Sequence, residues 1–336
     1  MQQDISMAKP YTDRDLFKIQ LVAVVIGILL LGAKFTAYFL THSNTILTDA
    51  LESIINVVAG MFALYSLYIS AKPKDADHPY GHGKVEFLSA GFEGVLIIIA
   101  GVVIISKSVV GFFHPRALEH LDWGLVLVVV SGLINYFLGF FLQRAGKQHG
   151  SLTLQADGEH LKSDAYSSAG ILVGLIIIFF TGWGWLDNVV AIIFGFVIIY
   201  TGIKLSRKSV AGIMDEADEE AIAGIAKVLE DNRQTEWIDV HNLRIIQYGS
   251  KLHVDCHVSL PWYYTLEEAH RQIDKIERVV EGEHSSQTEF FIHSDPCISA
   301  QCKICQIADC PVRKHAFTHK MDWTVETVLQ NKRHGL

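Results

Sequence analysis

Leu47-Thr48-Asp49-Ala50-Leu51-Glu52-Ser53-Ile54-Ile55-Asn56 opens an apolar run that continues to residue 69, and it carries a carboxylate and an amide four residues apart. A second stretch, His160-Leu161-Lys162-Ser163-Asp164, repeats that spacing at the head of another apolar run. Four-residue spacing stacks two side chains a turn apart on one helix face. A charge at bilayer depth costs at least about 2.5–3.5 kcal/mol, so it is kept only where a partner or a water-filled path receives it. Brought together, the two pairs would offer a carboxylate, an amide oxygen, an imidazole and a second carboxylate, a donor set suited to a divalent transition metal. Glu52, Asn56, His160 and Asp164 are therefore the candidate ligands of a metal site inside a membrane. Asp49, three residues before Glu52, is read as a hydrogen-bond acceptor behind them, with a ligand role as the alternative. Taken alone, the second pair also reads as a capping cluster, with Ser163 and Asp164 starting a helix and His160 in the loop. That reading leaves Glu52 and Asn56 unexplained.

The rest of the chain fits a membrane setting. Half of the 336 residues are hydrophobic and only 19% are charged. Apolar runs near 18–39, 47–69, 87–112, 123–142, 165–183 and 186–205 approach or exceed the roughly 20 residues that cross about 30 Å of hydrocarbon. Six transmembrane helices are expected. The first 15 residues are mixed and polar, and the first apolar run is too long for a cleavable signal. Lys and Arg gather before the first run, between the second and third, between the fourth and fifth, and after the sixth. The positive-inside rule then puts both termini in the cytoplasm of a multi-pass protein of the cell inner (plasma) membrane. A formal charge of −8 gives no case for nucleic-acid binding. Lys34 and Glu93 are further intramembrane charges; Lys34 is expected to snorkel outward, and Glu93 to line an entry path or be paired.

After residue 208 charge becomes frequent and apolar runs shorten. Residues 1–17 read as a cytoplasmic N-terminal segment, 18–208 as the membrane domain, 209–296 as a soluble cytoplasmic domain and 297–336 as a Cys-rich tail. Helical periodicity over 218–232, alternation over 240–248 and 251–260 joined by Gly-Ser, a helix capped by Thr265 with Glu268 completing a capping box, and a strand over 289–293 give the order αββαβ. This suits a small α+β, ferredoxin-like unit. All five cysteines follow the last apolar run, where a reducing cytoplasm makes them thiols or metal ligands. Cys297, Cys302, Cys305 and Cys310 form C-x4-C-x2-C-x4-C. Zinc or another soft metal in a structural knuckle is the leading reading; an iron–sulfur cluster fits on count, and free thiols are the bland alternative.

These motifs resemble the cation diffusion facilitator family of divalent-metal/proton antiporters, especially its bacterial zinc transporters, over roughly residues 15–297. The fifth-span motif matches fully with His160 and Asp164. The second span departs, because Glu52 and Asn56 stand where the family often has His or Asp followed by Asp. That loss of an anionic ligand admits Fe²⁺, Mn²⁺, Co²⁺ or Cd²⁺ beside Zn²⁺. The resemblance further implies a loop site at Asp75, His78 and His82, a hinge salt bridge between Lys84 and Asp215, and a two-metal site at a homodimer interface from His241, His257, His270, His293 and Asp295. It implies export of a divalent metal, which would serve as substrate and as structural ion, in exchange for protons by alternating access. Two other classes are weighed. A metallohydrolase would need a motif such as H-E-x-x-H, which is missing from the sequence. A membrane-anchored metal sensor without transport would leave the intramembrane pairs without a purpose.

Overall fold

The computed structural model describes residues 13–41, 44–113, 122–181, 185–249, 251–283 and 288–335. They divide into two compact units, Met1–Met214 and Asp215–Leu336.

The first unit is built from α1 Asp13–Thr41, α2 Asn44–Ser70, α3 Val85–Phe113, α4 Asp122–His149, α5 Leu152–Thr181 and α6 Trp185–Ile213. At 1.5 Å per residue each is about 40–45 Å long. Among the described residues, Asp15–Thr36 and Val85–Phe113 are long and apolar enough to cross a membrane. Leu29, Phe113, Phe137, Phe196 and Tyr200 are exposed, whereas Gln20, Glu86, Asp157 and His160 are buried. An apolar outside around a polar inside is the reverse of a soluble bundle.

Two seams hold the bundle, and glycine makes both. On α3 and α6 the glycines recur at seven-residue spacing. A Cβ at Gly202 would lie 2.8 Å from Gly94 O, and one at Gly101 would lie 3.0 Å from Gly195 O. Between α4 and α5, a Cβ at Gly139 or at Gly158 would meet the other's carbonyl at 2.7 Å. Small residues let backbones approach this closely in the absence of water. Gly202→Val should therefore lower the thermal unfolding midpoint of the detergent-purified protein, because such overpacking costs about 1–3 kcal/mol.

The fifth helix differs from expectation. It starts at Leu152, eight residues before His160, so neither His160 nor Asp164 caps it. Its first turns carry polar side chains that are nonetheless buried, including Thr153, Asp157 and Ser163. Glu86 explains part of this: it accepts hydrogen bonds from Ser151 Oγ, from Ser70 Oγ at 2.9 Å and from Thr153 N at 3.5 Å, tying α2, α3 and α5 at one end. Lys34 does not snorkel either. It is 5% exposed and donates to Ser53 Oγ at 2.8 Å, so the helix pair satisfies the ammonium internally.

The second unit comprises α7 Glu219–Asp231, β1 Asp239–Tyr248, β2 Lys251–Leu260, α8 Leu266–Glu283, β3 Thr288–Pro296 and a short helix α9 Val325–Val328. Asp218 caps α7, and Thr265 with Glu268 forms the capping box that opens α8. The sheet order is β1-β2-β3, with β1 and β2 antiparallel and β3 parallel to β2 through the α8 crossover. Val254, Cys256, Val258 and Leu260 of β2 point into a core with Ile222, Ile225 and Leu229 of α7 and Ile276 and Val280 of α8. By alternation the intervening residues of β2, among them His257 and Ser259, take the opposite face.

A bulge in β1 adjusts that alternation. His241 pairs with His257 but Arg244 with Asp255, so β1 holds one extra residue. Asn242, at φ 53°, takes the left-handed conformation that Asn tolerates better than most residues. The segment after Pro296 is folded onto this unit. Trp323 and Val328 enter its core, Arg233 stacks on Trp323 at 4.0 Å, and Asn242 N donates to Gln330 O at 2.8 Å.

Candidate metal centres

In the helical unit the four-residue spacings do converge. His160 Nε2 lies 2.9 Å from Asn56 Oδ1 and 3.8 Å from Asp164 Oδ2, and Asn56 Nδ2 donates to that same carboxylate oxygen. The Asn56 amide thus bridges the two α5 side chains, one end to each. Glu93 of α3 stands behind, its Oε1 4.0 Å from His160 Nδ1. The side chains of Asp49 and Glu52 lie outside the described residues. Asn56 also faces a cavity of about 30 Å³, lined among others by Lys34, Asn135 and Asp157, which has room for water.

Sequence reading passed over Asp157 and Gln20. Gln20 Nε2 donates to Asp157 Oδ2 at 2.6 Å and to Gly60 O at 3.3 Å, both within the buried interior. Asp157 precedes His160 by three residues and Asp164 by seven, so helical periodicity puts all three on one face. That signal was present in the sequence.

The loop between α2 and α3 holds a second cluster. Asp75, His78 and His82 offer ligand atoms all within 4.8 Å of one another. Asp75 Oδ1 accepts from His78 N at 2.7 Å and Asp77 N at 3.1 Å, a local turn built by the carboxylate itself. The hydrogen bond from His78 N, with the two imidazoles beside it, holds the Asp75 carboxyl below its ordinary range.

The third cluster lies on the sheet face opposite α7 and α8, partly covered by the segment after Pro296. His241, His257 and His293 form one row across β1, β2 and β3, and Asp239, Ser259 and Asp295 form the next row along. Asp295 Oδ2 stands 3.0 Å from His257 Nδ1 and 3.4 Å from His241 Nε2; Oδ1 stands 3.6 Å from His293 Nε2. His241, His257 and Asp295 bring their ligand atoms within 4.8 Å of one another, a two-nitrogen, one-oxygen set that suits Zn²⁺ and its neighbours. His270 is not brought to this row: on α8 it faces Asp274, one turn on, at 3.6 Å.

Behind this cluster stand groups that sequence reading did not find. Asp239 Oδ2 lies 3.4 Å from His241 Nδ1, which leaves Nε2 of the same ring toward Asp295. Asp239 in turn is held by His334 N at 2.9 Å and Gln301 Nε2 at 3.1 Å, and Arg333 Nη2 donates to Asp295 Oδ1 at 2.6 Å. Asp239 carried a local signal, two residues before His241 on a strand. Arg333 and His334 lie far along the chain and carried none.

Burial would raise the carboxyls of Asp239 and Asp295. Hydrogen bonds from His241 and His334 to the first, and from His257 and Arg333 to the second, outweigh it and hold both below the usual range. Carboxyls lowered on folding stabilise the folded state above about pH 4, their unfolded value, and lose that contribution as pH falls through the lower folded value. The chelator-treated protein should therefore melt at falling temperature below about pH 4, with a shallower fall in Asp295→Asn.

The four tail cysteines line one cavity of about 140 Å³, although no three of their sulfurs come within 4.8 Å of one another.

Residues 20–214 match the cation efflux transmembrane domain, and residues 217–297 match the cytoplasmic domain of cation efflux proteins. An uncharacterized transporter of Synechocystis sp. is 32% identical over 294 residues, 86% of this chain and 91% of that relative. The cation-efflux pump FieF of Shewanella oneidensis is 26% identical over 82% of this chain and 92% of its own. The manganese efflux system protein MneP of Bacillus subtilis is 26% identical over 83% and 95%.

Proposed function

The chain belongs to the cation efflux family, and from that premise we propose that it exports Zn²⁺ or a neighbouring divalent metal from the cytoplasm in exchange for protons. The observation that carries this reading is the meeting of Asn56 with His160 and Asp164 inside the helical unit. With Glu52, on α2 one turn before Asn56, these residues are the proposed transport site. The apolar outer surface and polar interior support six membrane-crossing helices, and the Lys and Arg of the alternate loops support both termini in the cytoplasm. The cytoplasmic-domain match supports a homodimer, with His241, His257, His293 and Asp295 of a ferredoxin-like domain holding a structural ion there. Asp75, His78 and His82 are the proposed loop site, and Lys84 with Asp215 the proposed hinge pair.

His160 is the natural proton carrier. Metal and proton compete for the same ring nitrogen. A site open to a more alkaline cytoplasm loads metal; opened to a more acidic exterior, it protonates and releases it. Asn56 then has a further use. Its amide pairs with His160 Nε2 and Asp164 Oδ2, so these two atoms satisfy their hydrogen-bonding needs through one side chain.

Energetics favour more than one proton per metal. Exchange of one M²⁺ for one H⁺ moves a net charge outward against an inside-negative potential, at about 2.3 kcal/mol per 100 mV. One pH unit returns only about 1.4 kcal/mol per proton. Two protons per metal remove the voltage term.

Flux in proteoliposomes with an internal pH indicator, challenged with Zn²⁺, Mn²⁺, Fe²⁺, Co²⁺ and Cd²⁺ in turn, tests the reading. Metal movement with opposing proton movement is expected, and Zn²⁺ should be fastest. Metal movement without proton movement would remove the antiport. No flux for any metal would leave the membrane-anchored sensor as the reading to pursue.

A further inference from the structure

The transport reading leaves the four tail cysteines without a task. Cys297 follows β3 and extends its ladder, its N–H donating to Leu260 O at 2.8 Å. Cys302 lies in a short 3-10 helix, Ser299–Lys303; Cys305 follows it, and Cys310 precedes Pro311. All four line the cavity of about 140 Å³, together with apolar groups such as Trp262 and Ile307. A single zinc ion with Zn–S bonds of about 2.3 Å would draw tetrahedral thiolates to about 3.8 Å apart. Here no three sulfurs lie within 4.8 Å of one another, so the thiols surround a space rather than a point.

We propose that this cavity holds an iron–sulfur cluster ligated by Cys297, Cys302, Cys305 and Cys310. Four cysteine thiolates are the usual ligand set of such clusters, and the C-x2-C core followed by a terminal Cys-Pro parallels features of bacterial ferredoxin motifs. A cluster placed among four thiolates holds them farther apart than one ion does. Its environment is furnished too. Cys305 is 6% exposed, and Ile304 and Ile238 pack against it in a small apolar cluster that keeps water from that side. Arg313 spans the loop from beneath, donating to Cys302 O at 2.9 Å and Cys305 O at 3.0 Å. Its guanidinium fixes the loop and sets a positive charge beside four thiolates whose negative charge exceeds the net positive charge of an iron–sulfide core. The proposal is independent of which ion the helical unit carries.

The test uses the full chain, purified without oxygen in detergent and analysed for iron, acid-labile sulfide and zinc. Iron and sulfide in equal amounts are expected, with visible absorption that bleaches under dithionite. Cys302→Ser with Cys305→Ser should lose both, while His257→Ala should keep both. Zinc bound by the cysteines with no sulfide would overturn the proposal in favour of a single-ion knuckle. Neither iron nor sulfide retained after anaerobic reconstitution with ferrous iron and sulfide would leave free thiols. The wild-type analysis decides even where the double variant fails to accumulate. None of these readouts needs flux, so an inactive transporter would leave the result standing.

Discussion

Asp164→Ala should abolish metal flux, by at least about 100-fold in proteoliposomes, while the soluble unit still binds metal with unchanged affinity. The carboxylate is the anionic member of the described trio, accepting from Asn56 and standing 3.8 Å from His160. A divalent ion entering a low-dielectric bundle sheds strongly held water, and neutral amide and imidazole ligands alone repay little of that cost. Removing a part-buried carboxylate also removes its own desolvation penalty, so the fold should survive and the loss can be assigned to the site. Flux and equilibrium metal binding on the same preparation check both halves. Residual flux within about tenfold of wild type would place the ion elsewhere.

The converse is expected of Asp295→Ala. Its two oxygens face His257, His241, His293 and Arg333 at 3.6 Å or less, so one truncation removes the oxygen donor and frees a guanidinium beside the histidine row. The soluble unit's metal affinity should fall by more than about 100-fold, beyond the 10–100-fold common for groups that merely support ligands. Flux through Asn56, His160 and Asp164 should persist at saturating metal. Isothermal titration of the purified variant, beside the proteoliposome assay, checks this. Together the two variants separate a transport site from a structural one, because each abolishes what the other spares.

Much of this site was legible because helices and strands impose fixed periods. Four-residue spacing was enough to bring His160 and Asp164 to one face, and alternation over 251–260 was enough to put His257 on a strand. The start of α5 was not legible, since 152–164 looks like a polar loop; its hydrogen bonds to Glu86 compensate the burial of that polarity, and this pairing spans more than sixty residues. The Asn242 bulge was hidden for a related reason. Strict alternation from Val240 would have put Leu243 on the histidine face, and only the inserted residue returns it to the core. Arg333 and His334 reach Asp295 and Asp239 through a chain path with no local period at all.

The glycine seams also set which helices travel together. With carbonyls closer to the facing backbone than any methyl group allows, α3 cannot roll against α6, nor α4 against α5, without losing contact along the whole seam. Each pair is packed as a single strut. Asn56 sits on α2, which belongs to neither strut, while His160 and Asp164 ride on α5. Relative travel of α2 and the α4–α5 strut would therefore part Asn56 from His160 and Asp164, so the proposed transport site lies where the bundle can shear.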